Sequence, residues 1–91
     1  MRESVVEQYL KRSVEAEGGE VRKVRWIGRR SAPDRLVMLP DRGAVYVELK
    51  APGEAPTRAQ QREHDRMRRC RLQVLVIDSL EGVDVFVERF A

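Results

Sequence analysis

Cysteine and long apolar runs are scarce in this sequence, and each scarcity excludes a class of structure. Cys70 is the one cysteine, so the chain can form neither an internal disulfide nor a zinc site built from several thiolates. No apolar run approaches the length of a membrane span, and the first ten residues lack the apolar segment of a signal peptide. We therefore expect a cytoplasmic protein without a membrane partner.

Length and composition limit what the chain can build. Ninety-one residues suit one domain, spanning 1–91, with one modest core. Charged residues make up 36% and hydrophobic residues 42%, a balance typical of globular and not of disordered chains. The sequence therefore predicts a single globular domain.

The basic residues are mostly arginine, although the net charge of +3 is small. Six arginines fall within fourteen residues: Arg58, Arg62, Arg66, Arg68, Arg69 and Arg71. The planar guanidinium suits phosphate oxygens better than an ammonium does. Such a run is more often a solvated helix face, and Glu63 and Asp65 dilute this one. Alone, the run is a weak indication of a nucleic-acid partner.

Apolar periodicity and turn residues predict the elements of the first half. Residues 3–17 carry apolar side chains at helical spacing and are followed by Gly18-Gly19, a typical helix stop. Strands are expected over 20–27, 34–40 and 44–50, and the turn PDRG joins the last two.

The second half predicts a helix, a strand and another helix. Thr57 and Gln60 in the segment TRAQ fit a capping box, so a helix should begin there and run to about Cys70. A buried strand is expected over 72–78, and Ser79 should cap a short last helix.

The predicted order is therefore helix, three strands, helix, strand, helix. The first three strands can form an antiparallel meander, and the connection to the fourth is long enough for a right-handed parallel crossover. This is an α/β fold with a mixed four-stranded sheet flanked by helices.

Three charged residues meet at one end of the predicted hairpin: Asp34, Glu48 and Lys50. If Pro40 pairs with Ala44, Asp34 lies opposite Lys50; if the register slips by two, Asp34 lies opposite Glu48. Directly opposite residues have Cβ atoms roughly 5 Å apart, and diagonal neighbours roughly 7 to 8 Å apart. In either register one cation can bridge the two carboxylates.

Two carboxylates beside a lysine suit phosphodiester hydrolysis. Mg²⁺ and Mn²⁺ prefer such oxygens, and Mg²⁺ commonly uses one or two carboxylates together with water and substrate phosphate. Lys50 can hold the attacking water or offset charge that develops on the phosphate. The simpler alternative is a salt bridge from Lys50 to Asp34 or Glu48. We favour the metal site because burying two carboxylates without a cation is costly, and because an arginine-rich helix follows.

The same residues carry a resemblance to a nuclease family. Asp34 in the pair PD stands fourteen residues before Glu48 of ELK, which resembles the signature of the PD-(D/E)XK superfamily. The segments EQYL, GGEVRKVRW, APDRLVMLP, VYVELKAP and PTRAQQREH resemble the VRR-NUC family of virus-type replication-repair nucleases, especially its small stand-alone members in phages and bacteria. The similarity extends from Glu3 to about Asp78. It implies a restriction-endonuclease-like αβββαβ core and a bacterial or phage-infected host cell.

The resemblance also implies roles for individual residues. Asp34 and Glu48 would bind Mg²⁺ or Mn²⁺, with the Leu49 carbonyl as a further ligand. Lys50 would be the catalytic lysine. Gln60 matches the glutamine that the family has at the start of the following helix.

An acidic residue of the first helix is also expected to face the metal. Glu3 and Glu7 share a helix face, so spacing does not separate them. Glu7 precedes Gly18 by eleven residues, a distance similar to that in related junction-resolving nucleases, and we place it ahead of Glu3.

Taken together, the resemblance implies a metal-dependent DNA endonuclease that acts as a homodimer on four-way junctions or other branched DNA. Two alternatives stay open: a flap or single-strand nuclease with the same chemistry, and a non-catalytic DNA-binding module. The expected DNA contacts are Arg29, Arg30, Arg35, Arg58 and Arg62.

Two further residues have more than one interpretation. His64 lies one turn after Gln60 and can face the same cleft, but a lone histidine on an amphipathic helix is more often packed or solvated. We therefore leave His64 out of the catalytic set. Trp26 is expected in the core or covering a strand face, with base stacking as the alternative.

Overall fold

The chain forms three helices and four strands in the order expected from the sequence. The structure, a computed structural model, describes all residues from 1 to 91. The elements are α1 (Glu3–Ala16), β1 (Glu20–Lys23), β2 (Arg35–Leu39), β3 (Gly43–Leu49), α2 (Arg58–Arg69), β4 (Val74–Ile77) and α3 (Leu80–Phe90). None of the three helices has both the length and the apolar character needed to cross a membrane.

The four strands form one mixed sheet in the order β1-β2-β3-β4. β1, β2 and β3 pair antiparallel, and β3 pairs parallel with β4 through the crossover that contains α2. The predicted α/β fold is therefore confirmed. In the hairpin Arg35 pairs with Val47, and the same register continued by one residue sets Asp34 opposite Glu48.

β1 ends four residues earlier than the sequence predicts. The Val24 N–H still donates to the Asp34 carbonyl at 3.0 Å, but Pro33 comes next on the opposite segment and has no N–H to donate. Trp26 instead donates its indole N–H to the Pro33 carbonyl at 2.8 Å and packs on Tyr46, with ring centroids 5.4 Å apart. Trp26 therefore has a structural role, since it holds the segment that leads into Asp34.

α1 ends at the glycine pair, as predicted. Gly18 has a φ of +83° and donates its N–H to the Glu15 carbonyl, while Gly19 donates to the Val14 carbonyl, both at 3.0 Å. These two bonds form a Schellman motif. A Cβ on Gly19 would lie 2.4 Å from the Met38 carbonyl oxygen of β2. The end of α1 can approach the sheet this closely only because residue 19 is glycine.

Side-chain caps fix the starts of the two later helices. At α2 the Gln60 N–H donates to Thr57 Oγ1 at 3.1 Å, and the Thr57 N–H donates to Gln60 Oε1 at 2.9 Å. At α3 the Gly82 N–H donates to Ser79 Oγ at 2.9 Å. The capping box and the serine cap predicted from the sequence are both confirmed.

The hydrophobic core lies on the face of the sheet that α1 and α3 cover. Successive residues of a strand point to opposite faces, and the odd-numbered residues of β2 and β3 enter this core. Its members are Val6, Leu10, Val14, Val37, Leu39, Val45, Val47, Leu49, Ile77, Val83 and Phe86. The even-numbered residues of β3 point to the other face, which α2 covers, and Glu48 is one of them.

Candidate active site

Four polar side chains are buried, and all four are charged or titratable: Arg35, Glu48, Glu63 and His64. Burial of such groups costs free energy unless each has a partner. Two of them belong to the β2–β3 hairpin and two to α2. Glu48 and His64 meet on the face of the sheet that α2 covers, and Arg35 contacts Glu7 on the face that α1 covers.

Glu48 points from β3 toward α2 and is 8% exposed. Its Oε1 atom lies 3.2 Å from Nε2 of His64. Burial raises the pKa of the Glu48 carboxyl above its ordinary value; the His64 hydrogen bond and the Lys50 ammonium oppose this rise, and Asp34 adds to it. Asp34, Lys50 and His64 therefore all lie within electrostatic range of a buried carboxylate, whose charged form a cation would stabilise.

Asp34 stands at the open end of the hairpin, directly before β2. Its side chain is 60% exposed, and Oδ1 lies 2.8 Å from Nη1 of Arg35. Of the two acids that the register sets opposite each other, Asp34 thus faces solvent and Glu48 faces the interior. A ligand that approaches from water can reach Asp34 first and Glu48 behind it.

Arg35 is buried, which corrects the expectation that it contacts DNA. Its guanidinium pairs with Glu7 of α1 on one side and with Asp34 on the other. Alternation along β2 turns this odd-numbered residue toward α1 and away from the surface. Its Nε is the one buried side-chain nitrogen or oxygen without a hydrogen-bond partner. Arg35 therefore fixes Asp34 relative to α1.

Glu7 reaches Arg35 and not the carboxylate pair. Glu3, the alternative on the same helix face, is exposed and forms no ion pair within the chain. Three or more His, Cys, Asp or Glu side chains do not come together anywhere in a metal-binding arrangement. Glu7 is therefore connected to Asp34 through Arg35. The two carboxylates available to a metal ion are those of Asp34 and Glu48.

Leu49, whose carbonyl is the further ligand that the resemblance implies, ends β3 next to Glu48. The backbone N–H of Tyr46 donates to the Gln73 carbonyl, and that of Lys50 donates to the Ile77 carbonyl. The backbone N–H and C=O groups of even-numbered residues in β3 therefore point toward β4, and those of odd-numbered residues point toward β2. The register continued past Asp34 sets Pro33, which has no N–H, opposite Leu49. Two carboxylates and one carbonyl are a donor set that suits Mg²⁺ or Mn²⁺, since Mg²⁺ typically keeps several waters.

Lys50 follows the last residue of β3, and its side chain is half-buried. Asp34 pairs with Arg35 and Glu48 with His64, so the simple salt bridge from Lys50 to either acid is not formed. Its ammonium nevertheless lowers the pKa of Glu48, which shows that the charge lies nearby. The Lys50 ammonium thus lies close to the acids and forms an ion pair with neither.

Gln60 and His64 lie one turn apart on α2, and only His64 contacts the acids. The Gln60 side-chain oxygen is used in the capping box with Thr57, which leaves its amide nitrogen without a protein partner. His64 is 1% exposed and reaches Glu48. His64 was not among the predicted catalytic residues, although its spacing of four residues from Gln60 put it on the same helix face.

The expected DNA-contacting arginines separate into three groups. Arg29, Arg30 and Arg62 line one cleft of about 330 Å³, and Arg66, which was not predicted, lines it as well. Arg58 is exposed at the start of α2 outside this cleft, and Arg35 is buried. The spacing of Arg62 and Arg66, four residues on one helix, was the signal that could have identified Arg66.

Comparisons with known proteins cover most of the chain. No family model matches it. The chain is similar to a protein of Acyrthosiphon pisum secondary endosymbiont phage 1 named "Putative nuclease p44", with 47% identity over 79 residues, which are 87% of this chain and 85% of that protein. It is also similar to a solved structure of a VRR_NUC domain, with 40% identity and a TM-score of 0.87, covering 98% of this chain and 97% of the other. The structural likeness therefore includes α1, the hairpin and α2 together.

Proposed function

Because the chain belongs to the VRR-NUC family of nucleases, we propose that it is a divalent-metal-dependent endonuclease that hydrolyses phosphodiester bonds of DNA. The observation that carries the proposal is the pairing register of the hairpin, which sets Asp34 opposite Glu48 beside Lys50. The whole of residues 1–91 serves as one nuclease domain. We place it in the cytoplasm of a bacterium or a phage-infected cell.

Asp34, Glu48 and the Leu49 carbonyl would hold Mg²⁺ or Mn²⁺. When bound, such an ion polarises the scissile phosphate and lowers the pKa of water. Glu7 supports the site through Arg35, which pairs with both Glu7 and Asp34. The buried, pKa-raised carboxyl of Glu48 is the group that gains most from a cation.

The remaining residues act on the substrate and on the acids. The Lys50 ammonium orients the attacking water or stabilises charge that develops on the phosphoryl oxygens. His64 keeps the Glu48 carboxylate in one orientation by its contact at 3.2 Å. The free amide nitrogen of Gln60 can donate a hydrogen bond to water or to a phosphate oxygen at the mouth of the site.

Substrate selection would come from DNA shape. The exposed arginines contact phosphates, and such contacts carry no sequence information. We propose branched DNA, four-way junctions above all, as the preferred substrate. The residues that serve as DNA contacts in this proposal are Arg29, Arg30, Arg58 and Arg62.

A homodimer would supply the two sites that cutting two strands requires, because each chain has one carboxylate pair. Support comes from exposed apolar residues along the edge strand β4 and α3: Val76 is 38% exposed and Val85 54%. They border an apolar cleft of about 400 Å³. A second copy of the chain would remove this surface from water. Light scattering at micromolar concentration should give twice the monomer mass of 10.6 kDa, and a monomeric mass would contradict the dimer.

The test of the function is a cleavage assay with labelled four-way junction, flap, single-stranded and linear duplex DNA. Each substrate is incubated with Mg²⁺, Mn²⁺, Ca²⁺ or EDTA, and Glu48→Gln serves as the inactive variant. Metal-dependent cutting that is fastest on the junction supports the proposal, and fastest cutting of the flap or the single strand identifies the alternative substrate class. Binding without cutting under every condition would refute the nuclease and leave a DNA-binding module.

A further inference from the structure

A cleft between the loop 28–31 and α2 has arginine at four of its seven lining positions. The loop 28–31 forms one wall with Arg29 and Arg30, and α2 forms the other with Arg62 and Arg66. Its volume is about 330 Å³, which lies near the small end of the range for ligand pockets, about 300 to 1,000 Å³. A cleft of this size can accept one nucleotide-sized unit and is too small to admit a double helix.

Each wall of the cleft is close in sequence to a residue of the proposed catalytic site. Ser31 lines the cleft and stands three residues before Asp34 in the chain. On α2, Glu63 binds two of the cleft arginines and directly precedes His64, which contacts Glu48. A strand that has one phosphate at the carboxylate pair could therefore have another in the cleft.

Glu63 holds two of the arginines in place. It is 4% exposed, and its Oε1 accepts hydrogen bonds from Arg29 Nε at 3.0 Å, from Arg66 Nε at 3.0 Å and from Arg66 Nη2 at 2.7 Å. Arg29 Nη2 lies 2.9 Å from the same oxygen. One buried carboxylate oxygen thus orients one arginine from each wall.

The arginines keep donors free for a ligand. Arg29 and Arg66 both present the Nε and Nη2 side of the guanidinium to Glu63, and the Nη1 groups have no partner in the protein. Arg30 and Arg62 form no hydrogen bond or ion pair with the protein through their side chains. The free side of a guanidinium is the geometry that binds phosphate oxygens in pairs.

A solvated cluster with an incidental salt bridge is the simpler interpretation, and exposed pairs of that kind contribute little stability. Two observations argue against it here. Glu63 is buried rather than exposed, and the four arginines exceed it by three charges, as large as the net charge of the whole chain. Holding like charges together around one buried carboxylate is unfavourable unless an anion binds them.

We propose that this cleft binds a phosphate group of a nucleic-acid strand other than the scissile phosphate, and that Glu63 is the positioning residue that orients Arg29 and Arg66 toward it. The inference rests on the proposed function in taking a nucleic acid as the substrate. The phosphate can be an internal phosphodiester or a terminal phosphomonoester, since both present the same oxygens.

Binding measured without cleavage tests the cleft directly. Fluorescence anisotropy in EDTA follows a 3′-labelled single strand that carries either a 5′-phosphate or a 5′-hydroxyl, over a series of salt concentrations. Arg66→Ala should weaken binding about tenfold and reduce the salt slope by about 0.7, the value for one phosphate contact on a single strand. The control is Arg12→Ala, which removes the same charge from an exposed position on α1 and should leave the slope closer to that of the wild type.

Glu63→Gln distinguishes an oriented cleft from a diffuse positive surface. The substitution adds one positive charge to the net charge, so a diffuse surface would bind the strand more tightly. If Glu63 orients the arginines, the same variant binds less tightly despite the added charge. Tighter or unchanged binding by Glu63→Gln, or equal effects of Arg66→Ala and Arg12→Ala, would overturn the proposal. A circular dichroism melt of each variant identifies any loss of folding.

Two comparisons separate this proposal from the proposed nuclease activity and identify the phosphate. Weaker binding by Arg66→Ala and Glu63→Gln in a chain that cuts no DNA would uphold the cleft and refute the nuclease. In an active chain both variants should raise KM and leave kcat close to that of the wild type, and a fall in kcat alone would refute the cleft as a binding subsite. Loss confined to the 5′-phosphorylated strand indicates a terminal phosphate, and equal loss on both strands an internal one.

Discussion

His64 Nε2 lies 3.2 Å from Glu48 Oε1, with both side chains buried between α2 and β3. This contact joins the helix that carries the arginines to the strand that carries the proposed metal ligand. It also gives the buried carboxylate its one hydrogen-bond partner among the side chains. The position of α2 on the sheet and the orientation of Glu48 are therefore linked.

Replacement of His64 should lower the stability of the folded protein and slow cleavage. His64→Ala removes a buried ring and leaves Glu48 without its partner, so we expect a loss of about 2 to 4 kcal/mol in the free energy of unfolding. Urea unfolding of His64→Ala, Glu48→Gln and the double variant measures their coupling. A coupling energy of about 0.5 to 3 kcal/mol is expected for residues in contact, and additive effects would show that the contact contributes nothing.

Lys50→Ala should abolish cleavage and keep DNA binding. Lys50 makes no ion pair with Asp34 or Glu48, so its removal leaves those contacts in place. Loss of a group that stabilises charge in the transition state costs about 100-fold to 1,000-fold in kcat. Single-turnover cleavage and anisotropy on the same junction measure the two properties. Cleavage near the wild-type rate would remove Lys50 from the mechanism.

Glu48→Gln should stabilise the protein in the absence of metal while it abolishes activity. The folded-state pKa of Glu48 is raised, mainly by burial, so the charged form disfavours folding, and stability falls as pH rises from the ordinary value through the raised one. At neutral pH the neutral glutamine avoids this cost, and its Tm should exceed that of the wild type. Differential scanning fluorimetry, with Trp26 as the reporter, measures the Tm of the two proteins, and the cleavage assay measures their activity.

Added metal should reverse that order. A ligand that binds only the folded state at 100 times its Kd stabilises it by about 2.7 kcal/mol. Mn²⁺ should therefore raise the Tm of the wild type and change that of Glu48→Gln much less. Equal shifts for both proteins would place metal binding elsewhere.

Glu63 should contribute stability that disappears in acid. The hydrogen bond from Arg29 lowers the pKa of Glu63, with Arg66 adding to the effect. Its contribution is complete above the ordinary glutamate value of about 4.3 and is lost as pH falls through the lower folded value. The difference in the free energy of unfolding between wild type and Glu63→Gln should therefore shrink between neutral pH and about pH 3. A constant difference over that range would exclude an ionised Glu63 as its cause.

Local signals predicted most of the fold. The glycine pair after α1, the capping box at Thr57 and Gln60, and the alternation along β2 and β3 each depend on residues close together in the chain, and each is found in the structure. The sequence pattern did not determine the register of the hairpin, because a slip of two residues keeps every side chain on the same face of the sheet. The structure has the register that sets Asp34 opposite Glu48.

What the sequence did not predict depends on contacts between distant segments. The pairing of Arg35 with Glu7 joins residues 28 positions apart, and that of Arg29 with Glu63 joins residues 34 apart. An arginine next to Asp34 has the same local pattern whether it points to solvent or to α1. His64 was similarly ambiguous, since its partner Glu48 lies in another element.

Gly19 lies far from the proposed catalytic residues, but its close approach to β2 affects their arrangement. Any side chain there would overlap the Met38 carbonyl oxygen of β2 and, at 2.9 Å, the Val14 methyl of α1. The end of α1 and β2 would have to move apart, and α1 is also the helix that brings Glu7 to Arg35. A substitution at Gly19 would thus change the positions of Glu7, and through Arg35 of Asp34, without replacing either acid.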